Sequence, residues 1–142
     1  MSASSVLELP AALSAPGAAR AHVRRLLVEW ELDALTDVVV LLVSELVTNA
    51  VLHAGSASAL LVEAADGGVR ITLSDASPVL PALRRSSGTA TTGRGVRLLE
   101  DLAQEWGAEP SGSGKRVWCV VSASEDPWAA LDADALLAGA EL

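Results

Sequence analysis

Hydrophobic and polar positions alternate along this chain with two distinct periods, and the change from one to the other marks its elements. From Asp37 to Gly55 the apolar residues Leu42, Val43, Leu46, Val47, Ala50, Val51 and Ala54 recur at helical spacing, which predicts a buried amphipathic helix. Asp33 or Thr36 is placed to cap it, and Gly55 is a fitting residue to end it. An earlier helix is predicted from Pro16 to about Trp30. Its apolar side is Ala19, Val23, Leu26, Leu27 and Trp30, which leaves His22, Arg24 and Arg25 among exposed positions. Val6–Leu9 reads as a short strand closed by Pro10. Ser56–Ala65 and Val69–Ser74 read as a hairpin around Asp66-Gly67-Gly68, with Val69, Ile71 and Leu73 alternating against Arg70 and Thr72.

Between Ala76 and Thr92 the pattern has no period. Pro78 and Pro81 interrupt the chain, and small polar residues follow, the composition of a long functional loop. A third helix is expected from Val96 to about Trp106, stopped by Gly107. A strand near Ala108–Pro110, a turn at Ser111–Gly114 and a strand over Lys115–Val121 come next. A last helix, Trp128–Leu137, lies within a tail from Ser124 to Leu142. Strands and helices do not alternate regularly, which excludes a doubly wound nucleotide fold. The order predicts one domain over residues 1–142, an α+β two-layer sandwich with helices on one face of a mixed, mostly antiparallel sheet.

Composition narrows the classes of function. The 142 residues carry 10 Lys+Arg against 18 Asp+Glu, a formal charge of −8. That balance argues against general binding to nucleic acid or to an anionic membrane surface. No uninterrupted apolar run reaches the ~18 residues of a spanning helix, and the N-terminus lacks the basic-then-apolar pattern of a secretory signal. A single cysteine, Cys119, excludes an internal disulfide framework. The expectation is a cytoplasmic protein.

Three polar features stand out against this background. Glu45, Asn49 and His53 fall four residues apart on the apolar central helix, so they share one slowly drifting stripe. His53 has a structural explanation, since a histidine near a helix C-terminus favours the dipole. Asn49 does not, because asparagine is a poor mid-helix residue. Asp75 ends a strand, where it can cap a turn or offer two acceptor oxygens to a ligand amino group. Gly93-Arg94-Gly95 opens a helix, an arrangement that exposes backbone N–H groups to an anion such as phosphate.

Taken in this order, the motifs carry a resemblance. Val43–Ala54, VSELVTNAVLHA, resembles the N box of the GHKL superfamily of ATPases. Asp75-Ala76-Ser77-Pro78 stands where that superfamily has its adenine-binding box, and Gly93-Arg94-Gly95-Val96 where it has its second glycine box. Within the superfamily the chain is similar to small ATP-binding regulators of the anti-sigma factor serine/threonine kinase type, over roughly Leu9 to Val121.

The resemblance implies roles for particular residues. Asn49 would ligate Mg²⁺, Glu45 would orient and deprotonate the attacking hydroxyl, and Asp75 would accept from the adenine amino group. Gly93, Arg94 and Gly95 would lie at the phosphates, with Arg84, Arg85 or Arg94 neutralising transferred charge. It implies ATP and Mg²⁺ as ligands, and a sigma factor or an anti-sigma factor antagonist as protein partners. It also implies a role in transcription regulation and possible homodimers. Two departures bear on these roles: Ser77 and Pro78 replace the glycines that usually follow the aspartate, and Lys115-Arg116 stands where a threonine usually supports it. Two functions stay open, a protein kinase acting on the antagonist and an ATP-gated binding module without phosphotransfer.

Overall fold

The computed structural model of the chain describes residues 3–65, 67–77 and 99–122. Five strands form one sheet: β1 (Ala3–Leu9), β2 (Ser58–Ala65), β3 (Gly68–Asp75), β4 (Glu105–Ser111) and β5 (Gly114–Ser122), in the spatial order β1-β2-β3-β5-β4. Every pairing among the described residues is antiparallel, in keeping with the mostly antiparallel sheet expected from the sequence. Helix α1 (Ala15–Glu29) and helix α2 (Thr36–Asn49) pack on one of its faces, which makes the two-layer α+β sandwich that the hydrophobic periods predicted.

The register explains which side chains make the core. Leu60 opposes Leu73, Val62 opposes Ile71, Ile71 opposes Cys119 and Leu73 opposes Val117. Directly opposed residues point to the same face, so these six stand in one layer against the helices, and all are buried. Val23 and Leu27 of α1, and Val39, Val43 and Val47 of α2, close over them with no exposed surface. The opposite face of β3 and β5 carries Arg70, Thr72, Arg116 and Trp118. There the Arg70 guanidinium lies 4.6 Å from the Trp118 ring centroid, and Arg116 donates to Glu109 at 2.7 Å.

Several boundaries differ from expectation, each for a local reason. Strand β1 starts at Ala3, three residues before the predicted strand, and β2 starts at Ser58, two after it. The N-cap of α2 is Leu35, which makes no side-chain cap hydrogen bond, so neither Asp33 nor Thr36 holds that position. Asp33 instead opens a short 3-10 turn, Asp33–Leu35, that leads into it. The third helix ends at Leu102, and Trp106 lies within β4. The backbone N–H of Gln104 already donates to Val120 of β5 at 2.7 Å, so cross-strand pairing displaces the helical spacing that ran on to Trp106. Gly107 therefore ends no helix. It lies in β4 opposite Trp118, where a Cβ would meet the indole ring at 2.7 Å. The expected start of that third helix, most of the 76–92 loop and the tail helix lie outside the described residues.

His22 is not simply exposed. Arg25 donates to its Nδ1 at 2.9 Å and Ser5 of β1 lies 3.0 Å from its Nε2. An arginine can only donate, so Nδ1 accepts and Nε2 carries the proton towards the Ser5 hydroxyl. Helix α1 is thereby tied to the edge strand. It ends in a Schellman motif: Leu32 N–H donates to Leu27 and Glu31 N–H to Val28, with Glu31 in the left-handed region at φ 58°.

The continuous helical segment Asp33–Ala54 has 22 residues and is long and apolar enough to cross a bilayer by length and composition. It passes that test although polar residues interrupt its apolar runs. Seven of the residues of α2 are buried in the core of the sandwich, the ordinary situation of a central helix.

Candidate functional site

The site begins where α2 changes its winding. After Asn49 the helix widens into a π turn, Ala50–Ala54, closed by the Gly55 N–H donating to Ala50 at 3.0 Å, and Gly55 then adopts φ 60°. Such π turns recur at functional sites, because the widened turn re-aims the side chains beside it. The carboxamide oxygen of Asn49 is buried and has no hydrogen-bond partner. An orphaned acceptor of this kind costs about 1–3 kcal/mol. It is the one buried side-chain polar atom left without a partner among the described residues. Glu45 lies one turn earlier on α2, half-buried, and Ser44 beside it accepts from Arg20 of α1 at 3.0 Å.

The π turn delivers the chain to Asp75. Five residues at ~1.5 Å each advance the helix by only about 7 Å, so Asn49 and Gly55 belong to the same end of the molecule. Ser56 follows, and its hydroxyl accepts from the Ala76 N–H at 3.2 Å. Asp75 shares its face of β3 with Leu73 and Ile71, which places its side chain on the helix side of the sheet. Gly114 directly precedes the residue paired with Asp75, and a Cβ there would overlap the Asp75 carbonyl oxygen. The close approach of the two strand ends therefore requires glycine.

Both oxygens of the Asp75 carboxylate have partners. Lys115 Nζ lies 3.0 Å from both of its oxygens, and the Ser77 N–H donates to Oδ1 at 2.8 Å. The two side chains are only 4% and 11% exposed. Lys115 faces Asp75 because β3 and β5 pair Asp75 directly with Lys115.

Of the residues singled out from sequence, Asn49 lies at the end of α2 and is linked towards Asp75 through the π turn, Gly55 and the Ser56–Ala76 hydrogen bond, with Glu45 one turn earlier on α2. Gly93, Arg94 and Gly95 lie outside the described residues, as do Arg84 and Arg85. His53 is exposed in the π turn. Sequence reasoning missed Ser56 and the constraint on Gly114. The serine directly after a helix-ending glycine was a usable signal for the first. Nothing separated Gly114 from an ordinary turn glycine.

The fold is thus an α+β sandwich with an unsatisfied polar oxygen at the end of its central helix and a buried carboxylate at a strand end. The chain belongs to the histidine kinase-like ATPase domain family, whose description it matches over residues 9–121. No curated protein matches it. The matched span contains every site residue named above, and family membership gives the chain an ATP-binding regulatory role. ATPase domains of this family bind ATP, usually with Mg²⁺. The residues present fit that cation, because an orphaned amide oxygen is the hard donor that Mg²⁺ takes alongside substrate phosphates.

Proposed function

We propose that the chain is a cytoplasmic MgATP-dependent regulator that phosphorylates a serine or threonine of a small antagonist protein and, when that antagonist is absent, holds a sigma factor. The observation that carries the nucleotide part is the buried, unpartnered Asn49 Oδ1. An acceptor kept dry and unsatisfied beside a π turn is explained by a ligand that completes it. The partner identities rest on the likeness of Val43–Ala54 and of Gly93–Gly107 to regulators of that type.

In this reading Asn49 holds the cation and Asp75 meets the base. The bound Mg²⁺ supplies charge neutralisation at the triphosphate. Glu45 orients the attacking hydroxyl and takes its proton as the new oxygen–phosphorus bond forms. The bond between the γ-phosphorus and the bridging oxygen breaks, and ADP leaves with that electron pair. Arg94 and its neighbours would balance charge on the transferred group.

A second reading, an ATP-gated binding module without phosphotransfer, is favoured by the ion pair that Lys115 makes with Asp75, an arrangement that alters the base pocket while leaving partner surfaces free to respond to nucleotide. The test is transfer of γ-³²P from ATP to serine or threonine of a protein in cell extract, with wild-type chain and with Glu45→Ala. Label that appears with wild type and is lost with Glu45→Ala supports the kinase. MgATP binding without any transferred label supports the module.

A further inference from the structure

An aspartate alone is an acceptor-only reader of a base. Its carboxylate can take the 6-amino hydrogen of adenine, but it repels the 6-oxo group of guanine or hypoxanthine, which is itself an acceptor. In this chain Asp75 is not alone. Lys115 Nζ bridges both carboxylate oxygens at 3.0 Å, and Oδ1 also accepts from Ser77. Among the described residues Oδ1 thus has two donors and Oδ2 has one, which leaves acceptor capacity on Oδ2. The ammonium has three hydrogens and two contacted oxygens, which leaves donor capacity on Nζ. The pair is held in place by the β3–β5 register, and Gly114 lets the two strand ends close on it.

We infer that Lys115 converts this end of the site from an acceptor-only reader into a side-by-side acceptor and donor, so that 6-oxopurine nucleotides are taken as well as ATP. The inference rests on the reading of Asp75 as the group that meets the base. Adenine offers its 6-amino hydrogen to Asp75 and receives an N–H from Lys115 at N1. A 6-oxopurine presents the same two functions in reversed order: its O6 receives from Lys115 and its N1–H donates to Asp75. Moving from one arrangement to the other requires the base to slide by about one ring atom. Without Lys115, the 6-oxo group would face a carboxylate with no donor to meet it.

The experiment is calorimetric titration of the full chain with the Mg²⁺ complexes of ATP, ITP and GTP, repeated on Lys115→Met and Lys115→Gln. Wild type is expected to bind ITP and GTP within about tenfold of ATP. Lys115→Met should weaken both by about tenfold or more relative to ATP, the consequence of leaving one buried acceptor without a donor. Lys115→Gln keeps an N–H donor and should stay close to the wild-type ratio. The wild-type ratio alone can refute the inference, so it survives as a test even where Lys115→Met does not fold. If ATP binds wild type more than a hundredfold tighter than ITP and GTP, or if the ratio is unchanged in Lys115→Met, Lys115 does not set base choice although nucleotide binding stands. If none of the three binds wild type, the nucleotide reading of the site fails and the inference fails with it.

Discussion

Replacing Asn49 by leucine should leave the unliganded protein as stable as wild type or more so. The carboxamide oxygen is buried and unpartnered, and relief of such an acceptor is worth about 1–3 kcal/mol. Leucine shares asparagine's branched outline and is the better helix former by a few tenths of a kcal/mol, but its methyl groups are bulkier, and overpacking offsets about 1–3 kcal/mol. Its neighbours on α2, Leu46 and Val47, are apolar and buried, so the new side chain meets a compatible surface. For a chain of this length, 1 kcal/mol moves the midpoint of thermal unfolding by about 2–4 °C. The expected shift is therefore between about zero, where overpacking cancels the gain, and about +12 °C. Leu42→Ala, two turns earlier in the core, serves as the contrast and should cost about 2–5 kcal/mol. The assay is circular dichroism or calorimetric melting without nucleotide or divalent metal. A loss of several degrees in Asn49→Leu would show that the amide is an ordinary structural group, and the case for a ligand completing it would collapse.

Three further outcomes follow from groups away from the site. The Cys119 thiol is pushed up to about 12 by burial, so it should resist alkylation and disulfide exchange at neutral pH until the protein unfolds; stoichiometric labelling of the native protein would contradict its placement. His22 is held below its ordinary value, first by burial and then by the Arg25 guanidinium. A base with a lowered folded pKa contributes stability above its unfolded value of 6.5 that is lost as pH falls through the folded one. His22→Gln should remove that part of the stability loss below pH 6.5, read from urea midpoints across the range, whereas an unchanged pH profile would exclude His22 as a source. Glu31 occupies a left-handed position suited to glycine, so Glu31→Gly should stabilise by up to about 1 kcal/mol; a clear loss in thermal melting would contradict the Schellman geometry of α1.

The parts of the molecule legible in the sequence are those fixed by local period. The alternation of Val69, Ile71 and Leu73 gave β3 and put Asp75 at its end. The spacing of Leu42, Val43, Leu46 and Val47 gave α2 and put Glu45 and Asn49 on it. What was hidden depends on partners distant along the chain. Asp75 and Lys115 are forty residues apart, and only the antiparallel pairing of β3 with β5 joins them. Nothing in Ala50–Ala54 distinguishes a π turn from another α turn by side-chain type, because the difference lies in which carbonyl Gly55 chooses. Trp106 was misplaced because Leu99, Leu102, Ala103 and Trp106 keep helical spacing across a real boundary. β4 is therefore expected only near Ala108–Pro110, with its first residues, Glu105 and Trp106, assigned to the helix and Gly107 to its stop. The site was therefore readable as a set of candidates and unreadable as a set of contacts.

The central claim is that Asn49 makes nucleotide binding depend on Mg²⁺. Isothermal titration of ATP into the wild-type chain, with Mg²⁺ and then with EDTA, and into Asn49→Ala with Mg²⁺, tests it most directly. Binding of ATP by wild type only in the presence of Mg²⁺, and its loss in a folded Asn49→Ala, is the predicted result. Equal affinity in all three titrations, or no binding of MgATP by wild type, would contradict it.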